Sequence, residues 1–313
     1  MVCRLLLLSL FVNLLVAEIV KYGGELYMDS QNARNIGMGG YSASFSDGRN
    51  PALLIHAHEP SVHFSHKNKF TGLAYVNSFS YLYHGENSPI YVSLLSRSVN
   101  DMPDTRSAWV DDGDSTPEIG EINYFNIEEI SQQEIGVKIA SIRTYNQIIF
   151  GINVKPFYTG LAEYNAWGLS GDIAAIYNPF NKYEFSLRIE DIINFKSWNT
   201  GTIETFRPLI TAGVRIQFSS LMFGFESGSR MEEHTRLNYH TGVEFKQHEN
   251  LFLRAGISND SKFSVGIGIH LTMVGIDYAY VQPPKDYPFD GSHIISTSFY
   301  LEKLNQIKGK ITP

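Results

Sequence analysis

Apolar and polar residues alternate along most of this 313-residue chain, and the alternation restricts the folds that it can adopt. In the stretch RLNYHTGVEFK, the odd-numbered residues from Leu237 to Phe245 are apolar apart from Thr241, whereas the even-numbered residues are polar or glycine. A period of two residues is the signature of a β-strand with one apolar and one polar face. The same pattern recurs from Val62 to the C-terminal region and predicts an all-β protein.

Counting these stretches gives fourteen predicted strands, which is an even number. Most of them are nine to thirteen residues long, and a tilted strand needs roughly 9 to 11 residues to cross a bilayer. We therefore expect a 14-stranded antiparallel transmembrane β-barrel. The predicted strands cover residues 61–67, 70–78, 89–97, 133–143, 146–156, 168–177, 182–192, 207–218, 219–226, 236–248, 250–258, 261–271, 272–281 and 291–301.

The links between the predicted strands are alternately short and long from the fourth strand onward. Outer-membrane barrels have tight turns on the periplasmic side and longer loops on the outer side, so the alternation supports a barrel. The links at residues 79–88 and 258–261 fit it poorly. The predicted outer loops cover residues 98–132, 157–167, 193–206, 227–235 and 282–290.

The N-terminal residues MVCRLLLLSLFVNLLVAE are typical of a secretory signal peptide. Arg4 supplies a positive charge, an apolar core follows, and Ala17 is a suitable cleavage position. The single cysteine, Cys3, lies in this segment, so we expect a mature chain without disulfides. No later stretch has the 18 uninterrupted apolar residues that a membrane helix needs.

A soluble β-sandwich would also contain alternating strands, because a core face and a lipid face are both apolar. Composition favours the membrane barrel: aromatic residues make up 13% of the chain and charged residues only 18%, below the usual quarter. The signal peptide, the even number of strands and the alternation of short and long links all agree with a membrane barrel. Since the net charge is −7 and no cluster of lysine and arginine occurs, we expect outer-membrane lipid and no nucleic acid as a partner.

Charged residues on the alternating strands would face the lumen of such a barrel. Their signs are mixed, and isolated buried charges are costly, so we expect paired networks in a blocked lumen rather than an open ion-selective pore. The residues concerned are Arg188, Arg215, Lys246, Arg254, Glu184, Glu190, Glu244 and Asp277.

A cluster of glycines occurs in RNIGMGGYSASFSDGRNPALL, residues 34–54. Gly37, Gly39 and Gly40 permit either phosphate binding or close packing of two backbones. A dinucleotide site needs the glycines between a buried strand and a helix, but the preceding YMDSQNARN is polar and the following chain is typical of a barrel. Close packing is therefore the favoured interpretation.

Several stretches, taken in order, resemble the PorV/PorQ group of outer-membrane proteins, which are relatives of the fatty-acid transporter FadL. They are NIGMGG followed by NPALL, then YHTGVEF, LFLRAGIS, FSVGIGI, VGIDYAYV and the closing GSHIISTSFYL. The resemblance implies a fourteen-stranded barrel whose N-terminal segment folds inward as a small hatch. Asn50, Pro51 and Ala52 correspond to the Asn-Pro-Ala motif of that hatch, and the glycines would let its backbone pass close to the wall.

The expected division of the chain follows from the resemblance and the strand pattern. It comprises a signal peptide at residues 1–17, a hatch at 18–58, the barrel at 59–301 and a periplasmic tail at 302–313.

The resemblance implies two different functions in the outer membrane of a Gram-negative-type bacterium. PorV-like members are associated with type IX secretion, where they receive exported proteins and hand them to the surface attachment machinery. Our main prediction is such a role, with exported cargo proteins or secretion components as partners. The alternative is a FadL-like passive transporter of hydrophobic small molecules, and a structural barrel without transport is a third possibility.

No residue pattern predicts an enzyme or a cofactor, since no Gly-x-Ser-x-Gly elbow occurs. His56, His58, His63 and His66 are close in sequence, but His63 and His66 would face opposite sides of a strand. We therefore interpret these four histidines as turn and lumen residues rather than as the ligands of a metal site.

An acidic loop is the remaining candidate site, because residues 101–134 carry ten acidic residues and one basic residue, a net charge of −9. Asp111, Asp112 and Asp114 could bind calcium through carboxylate oxygens. Their spacing lacks the glutamate of a helical calcium loop, so a solvated outer loop is the preferred interpretation.

Overall fold

The computed structural model describes most of the chain. The predicted signal peptide, Asp114 and the predicted tail beyond residue 302 lie outside the described residues. The described ranges are 18–20, 24–29, 31–85, 88–113, 115–116, 118–180, 182–230, 237–259, 262–283 and 288–302.

Fourteen antiparallel strands form a closed barrel, which confirms the predicted fold class. Each strand pairs with its neighbour in sequence, and β14 pairs with β1 to close the barrel. The strands are β1 (Ser61–Lys69), β2 (Ala74–His84), β3 (Pro89–Asp104), β4 (Glu128–Tyr145), β5 (Ile148–Leu161), β6 (Tyr164–Phe180), β7 (Tyr183–Trp198), β8 (Leu209–Gln217), β9 (Leu221–Arg230), β10 (Asn238–His248), β11 (Leu251–Ser258), β12 (Lys262–His270), β13 (Val274–Val281) and β14 (Ser292–Tyr300).

Two predicted links were wrong, both because strands extend further than expected. The predicted loop at 157–167 is a two-residue link between β5 and β6, and the predicted inner link at 79–88 is mostly strand β2. Strands β3 to β7 have 14 to 18 residues each, more than the roughly 9 to 11 that cross a bilayer. At the outer ends of β5 and β6 apolar residues lie on both faces, with Ala166 1% and Trp167 60% exposed. The alternation of polarity is therefore lost there, and the strand ends cannot be detected from it.

The outer surface of the barrel is apolar. Large side chains such as Leu94 and Ile152 are 53% and 55% exposed on it, and similar side chains recur on the other strands. An apolar exterior on a closed barrel is the arrangement that lipid requires, since every backbone group is paired within the wall. The protein is therefore an outer-membrane β-barrel.

One end of the barrel has only short links between strands, and the other end has longer ones. By the rule for outer-membrane barrels, the end with short links faces the periplasm; we call it the inner end, and the opposite end the outer end. The described part of the chain contains no helix long and apolar enough to span a membrane.

Residues 24–29 and 31–60, which we call the lumen segment, lie inside the barrel. The first described residues lie at the outer end, where Glu18–Ile19 pairs with Ile203–Thr205 beside the end of β7. The segment contains helices α1 (Glu25–Asp29) and α2 (Ala33–Gly37) and a 3-10 helix at Pro51–His56 near the inner end.

Candidate functional site

The glycines of the lumen segment lie where its backbone touches the wall. Gly39 has a φ of +72°, and a Cβ on it would lie 2.6 Å from the carbonyl oxygen of Thr241 and 2.7 Å from the amide nitrogen of Ile257. Gly256 on β11 packs directly against Met38 and Gly39. Such a close approach of two backbones requires a glycine at the point of contact, because a Cβ there would clash.

The other two glycines are also close to the wall. Gly37 packs against Gly266 on β12. Gly40 has a φ of +83° and lies beside His240, whose Nδ1 is 2.7 Å from the carbonyl oxygen of Gly39. The close packing expected of this cluster is thus the observed geometry, and its role in seating a hatch stays a prediction.

Asn50, Pro51 and Ala52 begin the 3-10 helix at the inner end. The Asn50 side chain accepts a hydrogen bond of 3.1 Å from the Ala52 amide, and Pro51 occupies the first helical position, where no amide donor is needed. Gly151 on β5 leaves room for Pro51 and Ala52. Leucines 53 and 54 of the helix then pack among buried apolar residues of β2 to β6, which closes this side of the inner end.

Paired charges fill much of the remaining lumen. Arg254 is fully buried and lies 2.6 Å from both Glu244 and Asp277, and Arg34 of α2 reaches Glu244 at 2.7 Å. These pairs satisfy each other's charge away from bulk water. Lys246, which we expected in the lumen, is instead exposed, since it lies near the inner end of β10.

A second network lies under α1. Lys155 is 2.6 Å from Asp172 and 2.8 Å from Asp191, and all three side chains are almost fully buried. The ring of Tyr27 lies next to Lys155, with the ammonium nitrogen 5.1 Å from the ring centre. Charged networks therefore occupy two sectors of the lumen, that of Arg254 on β10 to β13 and that of Lys155 on β5 to β7.

A cavity of about 450 Å³ opens at the outer end, between the lumen segment and strands β1 and β10 to β14. Part of its lining is apolar and part is cationic. Arg49 lines it with a buried Nε that has no hydrogen-bond partner among the described residues, and Glu190 is 3.6 Å from that nitrogen. Its other lining residues include Met28, Ile36, Phe70, Val281, Lys67, Lys69, His240 and Lys262.

The four clustered histidines do not converge. His56 bonds Glu184 at 2.7 Å, His63 bonds Ser298 at 2.8 Å, His66 bonds Asn77 at 2.8 Å, and His58 is exposed. Each of the first three has its own partner, as expected of lumen and turn histidines.

The acidic outer loop places Asp111 and Asp112 together with Glu121, their ligand oxygens lying within 4.8 Å of one another. Asp111 accepts hydrogen bonds from the amides of Gly113 and Ser115. Glu121 accepts a hydrogen bond from the indole nitrogen of Trp109 at 2.8 Å. This bond, together with those from the amides of Asp112 and Glu118, lowers the pKa of the Glu121 carboxyl group. The carboxylates thus shape the loop, and calcium binding there remains a prediction. Glu121 was missed because it is ten residues away in sequence from Asp111.

An ion pair ties this loop to the link between β5 and β6. Arg106 lies 2.7 Å from Glu163 and 2.6 Å from Asp104. The guanidinium lowers the pKa of Glu163 from 4.5 to about 2. A carboxyl group whose pKa is depressed stabilises the folded arrangement above its ordinary pKa, and this contribution is lost as the pH falls through the depressed value.

We expect the loop to loosen as the pH falls from about 4.5 to about 2. Hydrogen exchange of the amides at residues 105–113 would then rise, after correction for the intrinsic rate at each pH. The variant Glu163→Gln should exchange faster already at pH 6, because the ion pair is absent. If the protection of these amides did not change across this pH range, the ion pair between Arg106 and Glu163 would not be what orders the loop.

No protein-family model matches the chain, and no curated protein matches its sequence. Among the solved structures that share its fold are three with TM-scores above 0.5. The TodX monoaromatic hydrocarbon channel deltaS2 mutant is 11% identical, with a TM-score of 0.63 over 87% of this chain and 99% of that one. The deltaS2S3 mutant of the same channel is 13% identical, with a TM-score of 0.59 over the same shares of the two chains.

The third is a FadL homologue from Pseudomonas aeruginosa, 10% identical, with a TM-score of 0.53 over 86% of this chain and 97% of that one. At these identities the comparison establishes the fold and nothing finer. The FadL-like part of the expected resemblance is therefore confirmed for the fold, whereas membership of the PorV/PorQ group remains a prediction.

Proposed function

We propose that this protein is a passive channel for small hydrophobic or amphipathic solutes across the outer membrane. The observation that carries the proposal is the cavity at the outer end. Its volume of about 450 Å³ lies in the range of small-molecule sites, which is roughly 300 to 1,000 Å³. It is the place where a solute arriving from outside first meets the lumen segment.

The lining indicates the kind of solute. Met28, Ile36 and Phe70 offer apolar surface, while Lys67 and Lys69 offer positive charge. Both lysines contact Asp29, at 3.5 and 2.8 Å, so the site carries a partly balanced charge. A molecule with an apolar body and a polar or anionic end matches this lining better than a fully charged one.

The structural neighbours support the same proposal. Two of them are described as monoaromatic hydrocarbon channels and the third as a FadL homologue. They share the architecture of this chain, and a shared fold alone does not carry a substrate with it. The proposal therefore rests on the cavity, and the channel function in the neighbours' descriptions is consistent with it.

Uptake into proteoliposomes tests the proposal, with laurate as the amphipathic probe and toluene as the hydrocarbon probe. We expect faster entry than into protein-free vesicles, at least for laurate. Val281→Trp should fill the cavity and slow entry, whereas the matched change Val265→Trp on the lipid-facing surface should not. Entry no faster than into empty vesicles for both probes would overturn the proposal.

A role in protein export or surface attachment is the second candidate, and the acidic outer loop favours it. Tyr124 and Phe125 lie in this loop, and Phe125 is fully exposed. Tyrosine and phenylalanine are enriched at protein–protein interfaces relative to the rest of a protein's surface. Photocrosslinking from position 125 in cells tests this role: crosslinks to exported proteins or secretion components would support it, and their absence would count against it.

A further inference from the structure

The apolar belt around the outside of the barrel is interrupted on one side. Strands β1 and β12 have nine residues each, and their inner ends are Ser61 and His270. Counted from that end, the lipid-facing residues of β12 are Ile269, Ile267, Val265 and Phe263, all between 40% and 48% exposed. The corresponding residues of β1 are Val62, Phe64, His66 and Asn68. Polar side chains therefore replace apolar ones halfway along β1.

The interruption lies at the depth of the lipid chains of the outer leaflet. A tilted strand crosses a bilayer in roughly 9 to 11 residues, and the apolar belt begins at the inner end of these strands. His66 and Asn68 are the sixth and eighth residues of β1 from that end, so they lie in the outer half of the belt and not above it. At the same positions β12 presents Val265 and Phe263 to lipid.

Polar residues of the neighbouring strands join these two to form one patch, which we call the polar notch. It spans four strands, β13 to β2, and is therefore about 14 Å wide. Residues next to it in sequence, such as Lys67 and Ile294, are buried toward the lumen, so the notch faces outward. The polar notch consists of His66, Asn68, Tyr75, Asn77, Tyr278, Tyr280 and His293.

Several hydrogen-bonding groups of the polar notch are unused within the chain. Nδ1 of His66 lies 2.8 Å from the amide oxygen of Asn77, and Nδ1 of His293 lies 2.8 Å from the hydroxyl of Tyr278. Among the described residues, neither Nε2 of these two rings nor the side chain of Asn68 has a hydrogen-bond partner. Lipid chains offer no hydrogen bond, and an unsatisfied polar group among them is costly. Something other than lipid chains therefore covers the notch.

The composition of the polar notch indicates the partner. None of its residues is a lysine, arginine, aspartate or glutamate. It therefore does not match the phosphates of lipid head groups, which lysine and arginine bind. Neutral imidazole, amide and phenol groups each both donate and accept hydrogen bonds. A set of such groups is complementary to an identical set turned by a two-fold rotation, and it meets that copy without repulsion between like charges.

We propose that two copies of this chain pair in the membrane through the polar notch, about a two-fold axis along the membrane normal. Contacts of one patch with its own copy are the commonest arrangement in homo-oligomers. The free polar groups then bond across the interface, and the tyrosine rings at its edges shield them from lipid. Each barrel keeps its own lumen and outer cavity, so this inference goes beyond the proposed channel function and does not depend on it.

Disulfide crosslinking in isolated outer membranes, with copper phenanthroline as the oxidant, tests the interface. Ile295 lies between His66 and Tyr278 in register and is 48% exposed. Since the mature chain is expected to have no other cysteine, Ile295→Cys should join two copies. The matched control is Ile152→Cys on β5, which is 55% exposed and lies away from the notch. We expect several-fold more dimer from Ile295→Cys, and equal yields at the two positions would overturn the proposal.

A pair of leucine substitutions tests whether the polar groups hold the two copies together. His66→Leu with Asn68→Leu completes the apolar belt as in β12, so the barrel should stay folded by heat shift on gels. Crosslinking through Ile295→Cys should then fall to the level of the control. The matched pair His66→Gln with Asn68→Gln retains donors and acceptors and should keep most of the crosslinking. Undiminished crosslinking in the folded leucine variant would contradict the proposed contact.

The particle mass in nanodiscs formed directly from the membrane distinguishes the possible occupants of the polar notch. We expect two copies of the chain per particle for the wild type and one copy for the leucine variant. A single copy in the wild type, whether alone, with bound lipopolysaccharide or with a different protein, would overturn the pairing.

Discussion

Replacing Gly39 with alanine is expected to destabilise the barrel strongly. The φ of +72° costs an alanine about 1–2 kcal/mol, and the clash with Thr241 and Ile257 adds about 1–3 kcal/mol. Urea unfolding in detergent micelles measures the loss of stability. The folded fraction at each urea concentration is read on gels from the band whose mobility shifts on heating. Gly39→Leu should prevent folding of the barrel around the segment.

The matched control is Gly201→Ala in an outer link. Gly201 has a φ of +91°, yet nothing lies within 4 Å of an added Cβ. The Gly201→Ala variant should therefore lose only the stability that a positive φ costs an alanine, about 1–2 kcal/mol. If the two alanine variants were equally stable, the packing of Gly39 against the wall would have no energetic role.

Replacing Lys155 with methionine is the second change with a large expected effect. It leaves Asp172 buried without its cation and Asp191 with only Arg230, at 3.2 Å, and breaking a buried pair in this way costs about 3–5 kcal/mol. The control Lys196→Met removes a partly exposed lysine that lies 3.8 Å from Glu204, where a loss below about 1 kcal/mol is expected.

Adding Asp172→Asn to Lys155→Met tests the cause of that loss. If repulsion and desolvation of the two carboxylates destabilise the single variant, the double variant should recover part of its stability. A double variant that is no more stable than the single one would point to lost packing of the lysine stem instead.

The strand pattern was predictable from sequence because the membrane imposes two environments on each strand. Within the bilayer, one face meets lipid and the other the lumen, so alternation marks the boundaries of strands such as β10 and β12 closely. At the outer ends of β5 and β6 apolar residues lie on both faces, and the last four or five residues of β4 to β6 on the outer side were taken for loops.

The candidate site was predictable only in part. The glycines at positions 37, 39 and 40 indicated close packing, but their partners Gly256 and Gly266 look like ordinary polar-face positions of strands. The recurrence of glycine in LFLRAGIS and FSVGIGI was the available signal. The outer cavity could not be found in this way, because it is lined by residues from strands and loops far apart in the sequence.

Recording the wild-type protein in planar bilayers is the most direct test of the central claim, that this barrel is a solute channel closed at rest by its own N-terminal segment. The structure predicts no steady current, since buried ion pairs and the packed lumen segment close the lumen. A permanent, porin-like current in the wild type would contradict this account.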